Sequence, residues 1–254
     1  RAAPNVTGWI AAHLVGQGFA VALVRPPGLA ERGAGAAIPE IWLRPADLGV
    51  TLTALAGDPE LARHIALDRV GALGFFLGGP SVLALVGGRL DEASYRRSCD
   101  AGGTGLDCAW FAHEGIDLHA VDLAPLARSN LDERISVAVA VDPELGGSFA
   151  AASLAHVEAP VLIINLGDPE TIGPGLQAFD LAALIPPARY ATVPDATPFS
   201  SFGLCKPKAA AILREEGEDD SICRDGDSRS REAIHAELAE LVVEAFRPLL
   251  QPAP

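Results

Sequence analysis

The run of residues 71–79, Gly-Ala-Leu-Gly-Phe-Phe-Leu-Gly-Gly, constrains the fold of this chain more than any other part of its sequence. Small and apolar residues follow at 80–85, and this change of pattern predicts a strand at 70–74, a sharp turn and a helix at about 77–87. Because glycine has no Cβ, Gly74 and Gly78 would let the strand and the helix pass close to each other. The predicted unit is therefore a strand, a tight turn and a helix that packs back on the strand.

The spacing of Gly74 and Gly78 matches the pattern G-x-S-x-G of a nucleophile elbow, in which a serine is held at the tip of the turn. Here the tip is Phe76. Phenylalanine has no nucleophilic atom and no proton to give. The sequence therefore predicts the backbone of a catalytic turn without its catalyst.

The rest of the chain alternates between strand-like and helix-like segments, which predicts an α/β fold with a mostly parallel sheet and helices on both faces. At 254 residues the chain is predicted to form a single domain over 1–254, with an irregular, lid-like excursion at 100–130. We expect further strands at 19–24, 135–141, 161–165 and 189–193, and further helices at 6–15, 45–56, 175–184 and 230–246, with a helical turn at 91–99.

Composition excludes several classes of function. The net charge of −14 argues against a nucleic-acid partner, since binding phosphates requires clustered Lys and Arg. No apolar run approaches the ~18 residues of a membrane span. No metal site is expected, because C-x-x-C and H-x-x-x-H are absent, and no cofactor, because the glycine spacing is wrong for a dinucleotide. The acidic run at 215–220 is read as a solvated loop, with a calcium site as the alternative.

The four cysteines fall into two local pairs, Cys99 with Cys108 and Cys205 with Cys223. Such pairs predict two short disulfide loops and an oxidising compartment, hence a periplasmic or secreted protein. Four free thiols in a cytosolic protein are the alternative. The chain contains no methionine, so we expect that Arg1 is not the first residue that is translated.

Several segments together resemble the α/β-hydrolase fold, and more narrowly the secreted bacterial dienelactone-hydrolase-like family, akin to platelet-activating-factor acetylhydrolases. The resemblance covers nearly the whole chain. It is carried by the helix at 5–18 with the segment after it, Arg44-Pro45-Ala46-Asp47, the elbow with residues 68–71 before it, Ala140-Val141-Asp142-Pro143-Glu144-Leu145-Gly146, residues 160–163, residues 193–200, and the tail with Cys205, Cys223 and the final helix.

The resemblance implies a Ser-Asp-His triad of which only the acid is present. The serine position falls on Phe76 and the acid on Asp142, while Pro198 stands where the family has the histidine that acts as base. The backbone N–H of Leu77 would be one oxyanion donor. The other donor lies in a strand that the family has before residue 1, so the first strands of the fold are expected to be missing from this sequence.

Losing a triad serine or histidine lowers the rate roughly 10⁶-fold, so Ser-His-Asp hydrolysis is not expected here. The leading hypothesis is a catalytically inactive homologue, a pseudoenzyme, that acts as a binding or structural subunit. Its partner would be another protein or a separate N-terminal fragment. One alternative is a carboxylic-ester hydrolase or lactonase that was altered at Phe76 and Pro198. Another is a carrier of a small molecule whose identity the sequence does not indicate.

A few further residues are candidates for chemistry. Asp168 follows the next predicted strand, where some α/β-hydrolases place their acid, but it is interpreted as a turn residue. His113 and His119 are candidates for a relocated base. We also expect Phe75, Phe76 and Phe199 to fill the pocket of the former site. Four serines are considered as substitute nucleophiles, each without an evident base: Ser81, Ser148, Ser200 and Ser201.

Overall fold

Four parallel strands form one sheet in the order in which they occur along the chain. The computed structural model describes residues 4–25, 34–100, 106–226 and 228–250. The α/β fold with a parallel sheet is thereby confirmed. The strands are β1 (Val70–Phe75), β2 (Ile135–Val141), β3 (Val161–Leu166) and β4 (Ala188–Val193).

Helices connect and cover the strands. The α-helices are α1 (Pro4–Gly16), α2 (Glu40–Gly57), α3 (Pro59–Ala62), α4 (Gly78–Leu85), α5 (Glu92–Asp100), α6 (Leu106–His113), α7 (Ala151–Leu154), α8 (Phe179–Ala183), α9 (Ala209–Glu215) and α10 (Arg231–Leu250). Short 3₁₀ helices occur at Ala34–Ala36, Leu118–Ala120, Ala124–Ala127, Gly146–Ser148, Pro198–Ser201 and Asp220–Cys223. In the part of the chain that the structure describes, no helix is both long and apolar enough to cross a bilayer.

Each face of the sheet packs against its own apolar cluster. On one face, Ala138, Ala140 and Ile163 pack with residues of α2, α4 and α8. On the other face, Val139 and Ile164 pack with residues of α1 and α10. Side chains of a strand alternate between the faces, so runs such as Ile-Ser-Val-Ala-Val-Ala-Val in β2 bury apolar groups on both sides. The expectation of helices on both faces is confirmed.

The strand expected at 19–24 is absent. Residues 20–25 make no backbone hydrogen bond to another described residue, although Phe19 and Val21 pack on the α1/α10 cluster. A strand is held by backbone pairing with a neighbour, and β-prone side chains do not replace that pairing. The segment is therefore irregular chain that pairs with no described strand.

Two helices differ from their predicted bounds. α2 begins at Glu40 instead of residue 45, so Pro45 lies inside it. An internal proline removes a hydrogen bond and costs about 3 kcal/mol, but burial of Ile41 in the first turn, and of Ile38 just before it, favours the longer helix. The helix expected at 175–184 is reduced to α8, because Asn165 binds the backbone of Leu176 and Ala178 and holds the preceding residues in a turn.

The excursion at 100–130 is more regular than its sequence suggests. It contains α6 and two 3₁₀ helices, while residues 101–105 lie outside the described part. Its apolar residues Phe111, Leu118, Leu123 and Leu126 are buried in the cluster on the α2/α4 face. This packing attaches the excursion to the main core.

Both predicted disulfides are present, Cys99–Cys108 and Cys205–Cys223, and neither leaves a free cysteine. The second bond closes the segment that carries α9 and the 3₁₀ helix Asp220–Cys223. No residue of α9 is buried, so apolar burial contributes little to holding this segment. The disulfide is therefore a principal restraint on it.

We expect the double substitution Cys205→Ala/Cys223→Ala to lower the free energy of unfolding by about 3 kcal/mol, because the bond closes a loop of 18 residues in the unfolded chain. Cys99→Ala/Cys108→Ala is the matched comparison. Its loop of 9 residues should contribute less by roughly 0.6 kcal/mol. Urea unfolding of the oxidised proteins measures both values, and an unchanged midpoint for the first variant would contradict the expectation.

Candidate functional site

The tip of the predicted elbow is a strained turn between β1 and α4. Phe76 has φ of 51°, in the left-handed region that side chains other than glycine rarely adopt. Its N–H donates to the carbonyl of Val141 at 3.1 Å, and its carbonyl accepts from the N–H of Gly79 at 2.8 Å. Such strain amounts to ~1–3 kcal/mol and persists only where surrounding contacts enforce it. The turn therefore has the backbone of an elbow although its side chain is a phenyl group.

Glycine is required at two positions of this turn for steric reasons. A Cβ on Gly74 would lie 2.0 Å from the carbonyl oxygen of Gly78, and one on Gly79 would lie 2.6 Å from Cβ of Pro143. A Cβ on Gly78 would meet no atom within 4 Å. The close approach of β1 and α4 therefore depends on Gly74, and Gly78 contributes its carbonyl to that contact. Gly79 instead permits the contact of α4 with Pro143.

Three aromatic rings cover the tip. The rings of Phe76 and Phe202 meet edge to face with centroids 6.0 Å apart, and Phe202 meets Phe199 in the same way at 5.7 Å. Phe75 does not join them, because it is the last residue of β1 and its side chain packs on the α1/α10 face. Phe202 takes the place expected for Phe75. The group at the tip is thus an aromatic contact of a kind that contributes ~0.5–1.5 kcal/mol beyond burial.

Asp142 follows β2 and is almost completely buried, with 1% of its surface exposed. Its Oδ1 accepts from Nδ2 of Asn165 at 2.8 Å and from the N–H of Leu166 at 2.9 Å. Its Oδ2 is buried and has no hydrogen-bond partner. Burial raises the pKa of Asp142 to about 6, and the two hydrogen bonds lower it by less. One oxygen therefore organises the ends of the strands, and the other is unsatisfied.

Asn165, which sequence reasoning missed, holds Asp142 in place. Its Nδ2 donates to Asp142 and to the carbonyl of Leu176, while its Oδ1 accepts from the N–H of Ala178 and from the hydroxyl of Tyr190. Burial, and then the charge of Asp142, raises the pKa of Tyr190. Every hydrogen-bonding atom of the amide is used, so this network is rigid and polar in an otherwise apolar sheet.

Pro198 begins the 3₁₀ helix Pro198–Ser201, and side chains from α1 and α10 hold this helix. Trp9 donates from Nε1 to the carbonyl of Ser201 at 2.8 Å and stacks on the ring of His235 with centroids 3.6 Å apart. Nε2 of His235 lies 2.8 Å from the carbonyl of Ser200, so this nitrogen carries the hydrogen. The loop at the predicted base position is therefore fixed from both terminal helices, although proline cannot accept a proton.

Leu77, whose N–H occupies the predicted oxyanion position, directly precedes α4 and has right-handed helical backbone angles. Its carbonyl accepts from Oγ of Ser81 at 2.8 Å. Ser201 donates in the same way to the carbonyl of Pro198, and Ser200 donates to Asp225 at 2.6 Å. Ser148 is buried. None of these serines has a hydrogen bond to an imidazole nitrogen among the described residues.

The remaining candidates lie apart from the elbow or in turns. His113 is paired with Glu114 and His119 with Asp100, all at the surface. Asp168 lies in a turn, with its carbonyl accepting from Thr171. In the ranges that the structure describes, no cluster of three or more metal-ligating side chains occurs, including the acidic run.

A second set of charged side chains, Arg44 with Glu40 and Glu144, was also not predicted from the sequence. Burial lowers the pKa of Arg44, and the nearby carboxylates of Glu40 and Glu144 oppose this effect. Glu40 and Glu144 are both buried, and Oε2 of Glu40 and Nε of Arg44 have no hydrogen-bond partner. The only sequence signal was that Arg44 and Glu144 belong to motifs on which the family resemblance rests.

Two surface grooves lie away from this site, with volumes of about 540 and 550 Å³. One is lined by Val50, Leu131 and Arg134, and the other by Arg89, Ile135 and His156. Ile135 is the first residue of β2 and Asp142 follows its last, which separates groove and acid by roughly 20 Å at ~3.3 Å per residue. Neither groove contains a candidate site residue.

Comparisons of the chain with protein-family models, with curated proteins and with solved structures gave no match. The likeness to the dienelactone-hydrolase-like family therefore rests on the motifs of the sequence.

We expect Gly74→Ala to destabilise the protein by about 3 kcal/mol or more, because the new methyl group would overlap the carbonyl of Gly78 and the backbone cannot yield without moving α4. Gly78→Ala is the matched control. It places a methyl group in open space at the first residue of a helix and should change stability by no more than about 1 kcal/mol. Equal urea midpoints for the two variants would refute the steric assignment.

Asp142 should make stability fall as pH rises. Its pKa is 3.8 when unfolded and about 6 when folded. Below pH 3.8 the carboxyl group is therefore protonated in both states and does not lower the free energy of unfolding. Between these values only the unfolded state ionises, and stability decreases until the folded pKa is passed. At 1.36 kcal/mol per pKa unit the total loss is roughly 3 kcal/mol.

We therefore expect Asp142→Asn to remove this pH dependence and to gain stability over the parent chain most strongly above pH 6. The amide oxygen can still accept from Asn165 and Leu166. Glu170→Gln, at an exposed position, is the control and should follow the parent. Urea midpoints between pH 4 and pH 8 provide the measurement, and parallel curves for parent and Asp142→Asn would contradict it.

Proposed function

We propose that this chain is a catalytically inactive member of the α/β-hydrolase fold that acts as a binding or structural subunit of a larger assembly. The observation that carries the proposal is the state of the elbow. Its strained backbone and close glycine contact are retained, while the tip side chain is a phenyl ring packed against Phe202. Such a turn holds a nucleophile when one is present, and here it serves packing.

The acid and base positions support the same conclusion. Oδ2 of Asp142 is the atom that would accept from an orienting imidazole, and it is buried with no partner. The loop that would carry the imidazole is held in place by Trp9 and His235 but presents Pro198. The backbone supports of the tip, acid and base positions are thus all present. Phe76 and Pro198, however, supply neither a nucleophile nor a base.

The alternative is a carboxylic-ester hydrolase or lactonase that was altered at Phe76 and Pro198. The firm support of the 198–201 helix favours it, because a histidine at 198 would need that support. The unsatisfied oxygen of Asp142 would then have its donor. The two proposals differ in whether the present chain attacks esters.

We further propose a periplasmic or secreted location. Two disulfide bonds support it, because such bonds persist in oxidising compartments. The acidic net charge makes a protein or a small molecule a more favourable partner than a nucleic acid.

The purified protein should not be labelled by a fluorophosphonate probe and should not hydrolyse p-nitrophenyl esters above the rate in buffer, since it offers no activated serine. Labelling is read by intact-mass spectrometry. Covalent modification of any serine in the folded protein would overturn the proposal of inactivity.

Phe76→Ser/Pro198→His is the matched gain-of-function variant, with Phe76→Ser alone as its control. Ester hydrolysis by the double variant and not by the single one would support descent from a hydrolase site. If the double variant is supplied with the N-terminal segment that the resemblance places before residue 1, folds as judged by its circular dichroism and remains inert, the assignment of Phe76 and Pro198 to nucleophile and base positions is wrong.

A further inference from the structure

The segment that the Cys205–Cys223 disulfide closes carries both lysines of the chain and its densest run of acids. Lys206 and Lys208 lie just before α9, and all residues at 215–220 except a glycine are acidic. Both lysines are exposed, as are Glu215 and Glu216, and none of these four side chains forms an ion pair with a described residue. The segment therefore has a cationic end and an anionic end that do not neutralise each other.

These charges oppose the dipole of α9. The N-terminal end of a helix is partially positive and its C-terminal end is partially negative, so lysines before the first turn and glutamates in the last turn are both unfavourable. Arg214 in the last turn has the favourable sign, but it is paired with Asp220 at 3.0 Å. The side chain of Lys208, the residue before the helix, makes no capping hydrogen bond. The end charges of α9 are therefore better suited to an external contact than to the isolated helix.

One face of α9 is turned away from the protein. Ile212 is 54% exposed, and Glu215 and Glu216 follow it on the same face of the helix. Lys208 lies one turn before Ile212, whereas Leu213, on the inner side, is half-buried. The order of side chains along the outer face is thus a cation, a branched apolar group and anions.

That order is complementary to itself under a two-fold axis. When two copies of α9 lie antiparallel, Lys208 of each copy faces Glu215 of the other, and the two Ile212 side chains meet at the axis. Each lysine then also lies beside the negative end of the other helix, which reverses the unfavourable effect of its own helix dipole. An antiparallel pair therefore satisfies the apolar group and both charged ends at once.

We propose that two copies of this chain associate through the outer face of α9, with the two helices antiparallel about a two-fold axis. This contact goes beyond the proposed function and is independent of it, because it uses neither the turn at Phe76 nor Asp142. α9 has 7 residues and spans ~10 Å, so the contact of the two helices buries less than the ~800 Å² per partner of a stable interface. The dimer is therefore weak and forms at high protein concentration.

Charge decides in favour of a second copy as the occupant. Each chain has a net charge of −14, so two copies repel each other unless cations of one meet anions of the other. Both lysines of the chain lie on this segment, and so do the acids that match them. Another protein, or another segment of this chain, would have to supply the reverse order of charges, whereas a second copy carries it. A two-fold contact uses both charged ends of both copies, but a head-to-tail contact leaves one end unmatched at each end of the assembly.

Cysteine cross-linking tests the centre of the contact. All four cysteines are paired in disulfides, so one introduced cysteine reports on one position. A residue at a two-fold axis meets its own copy, which allows Ile212→Cys to form a symmetric disulfide. Val50→Cys, at a position that is 67% exposed, is the matched control.

On mild oxidation at about 100 µM protein, we expect Ile212→Cys to cross-link at least about tenfold faster than Val50→Cys, because association raises the effective concentration of the second thiol. Non-reducing gels give the rates, and peptide mapping checks that the native disulfides remain intact.

Charge reversal tests the pairing of the two ends. Combined with Ile212→Cys, Lys206→Glu/Lys208→Glu places acids at both ends of α9, and Glu215→Lys/Glu216→Lys places lysines at both ends. Either chain alone should cross-link as slowly as the control, whereas a mixture of the two should regain the parent rate because each end again meets the opposite charge. Both changes remove charges that oppose the helix dipole, so neither should lower the urea midpoint.

Glu158→Lys/Glu170→Lys, at exposed positions away from α9, changes the net charge as much as Glu215→Lys/Glu216→Lys does and should keep the parent rate of cross-linking. The proposal is overturned if Ile212→Cys cross-links no faster than Val50→Cys, if reversal of the charges at α9 has no effect, or if the mixture stays slow. Sedimentation equilibrium of the parent chain should show a dimer at about 1 mM protein, and a monomer alone at that concentration would overturn the proposal as well.

Discussion

The close approach of β1 to α4 is the contact on which the arrangement of the site depends. The carbonyl of Gly78 occupies the space that a side chain at position 74 would need. The chain must therefore reverse within residues 75–77, and this short reversal places Phe76 in the left-handed region. The bonds from its N–H to Val141 and from Gly79 to its carbonyl fix the backbone of Phe76, and its ring packs edge to face on Phe202.

The same backbone conformation occurs after the C-terminal ends of β1, β2 and β3. Phe76, Asp142 and Gly167 each follow a strand, each has positive φ, and each donates its N–H to the next strand. One extra ladder bond together with a left-handed residue turns the chain sharply away from the sheet. The positions of Phe76 and Asp142 at the ends of β1 and β2 therefore follow from the geometry of the sheet. Neither residue needs a catalytic role to explain where it lies. The geometry of the sheet is therefore sufficient to explain the elbow-like backbone at Phe76.

Most of the fold could be predicted from the sequence because its signals are local. Runs such as Val-Ala-Val-Ala-Val in β2 indicate strands. The cysteines of each disulfide are only 9 or 18 residues apart, so their pairing could be predicted from their proximity in the sequence. The prediction of a strand at 19–24 was wrong because a strand needs a neighbouring strand to pair with, and sequence periodicity does not show whether one is there. At the candidate site, the spacing of Gly74 and Gly78 predicted the sharp turn at Phe76, whereas the triad positions assigned to Phe76, Asp142 and Pro198 stay predictions. The contacts of Asn165 and Phe202 could not be predicted, since they join segments that lie far apart in the chain.

Asp142 has one oxygen that joins the ends of two strands and a second that has no hydrogen-bond partner among the described residues. Its Oδ1 bonds to Asn165 and Leu166 and so joins the ends of two strands. Its Oδ2 is unsatisfied, and burial raises the pKa of the carboxyl group because the charged form loses its hydration. Replacing the residue by an apolar one would relieve the charge but would leave the buried N–H of Leu166 and one N–H of Asn165 without an acceptor. The bonds to Oδ1 thus account for a buried hydrogen-bond acceptor at position 142, while the second oxygen of the carboxylate destabilises the fold.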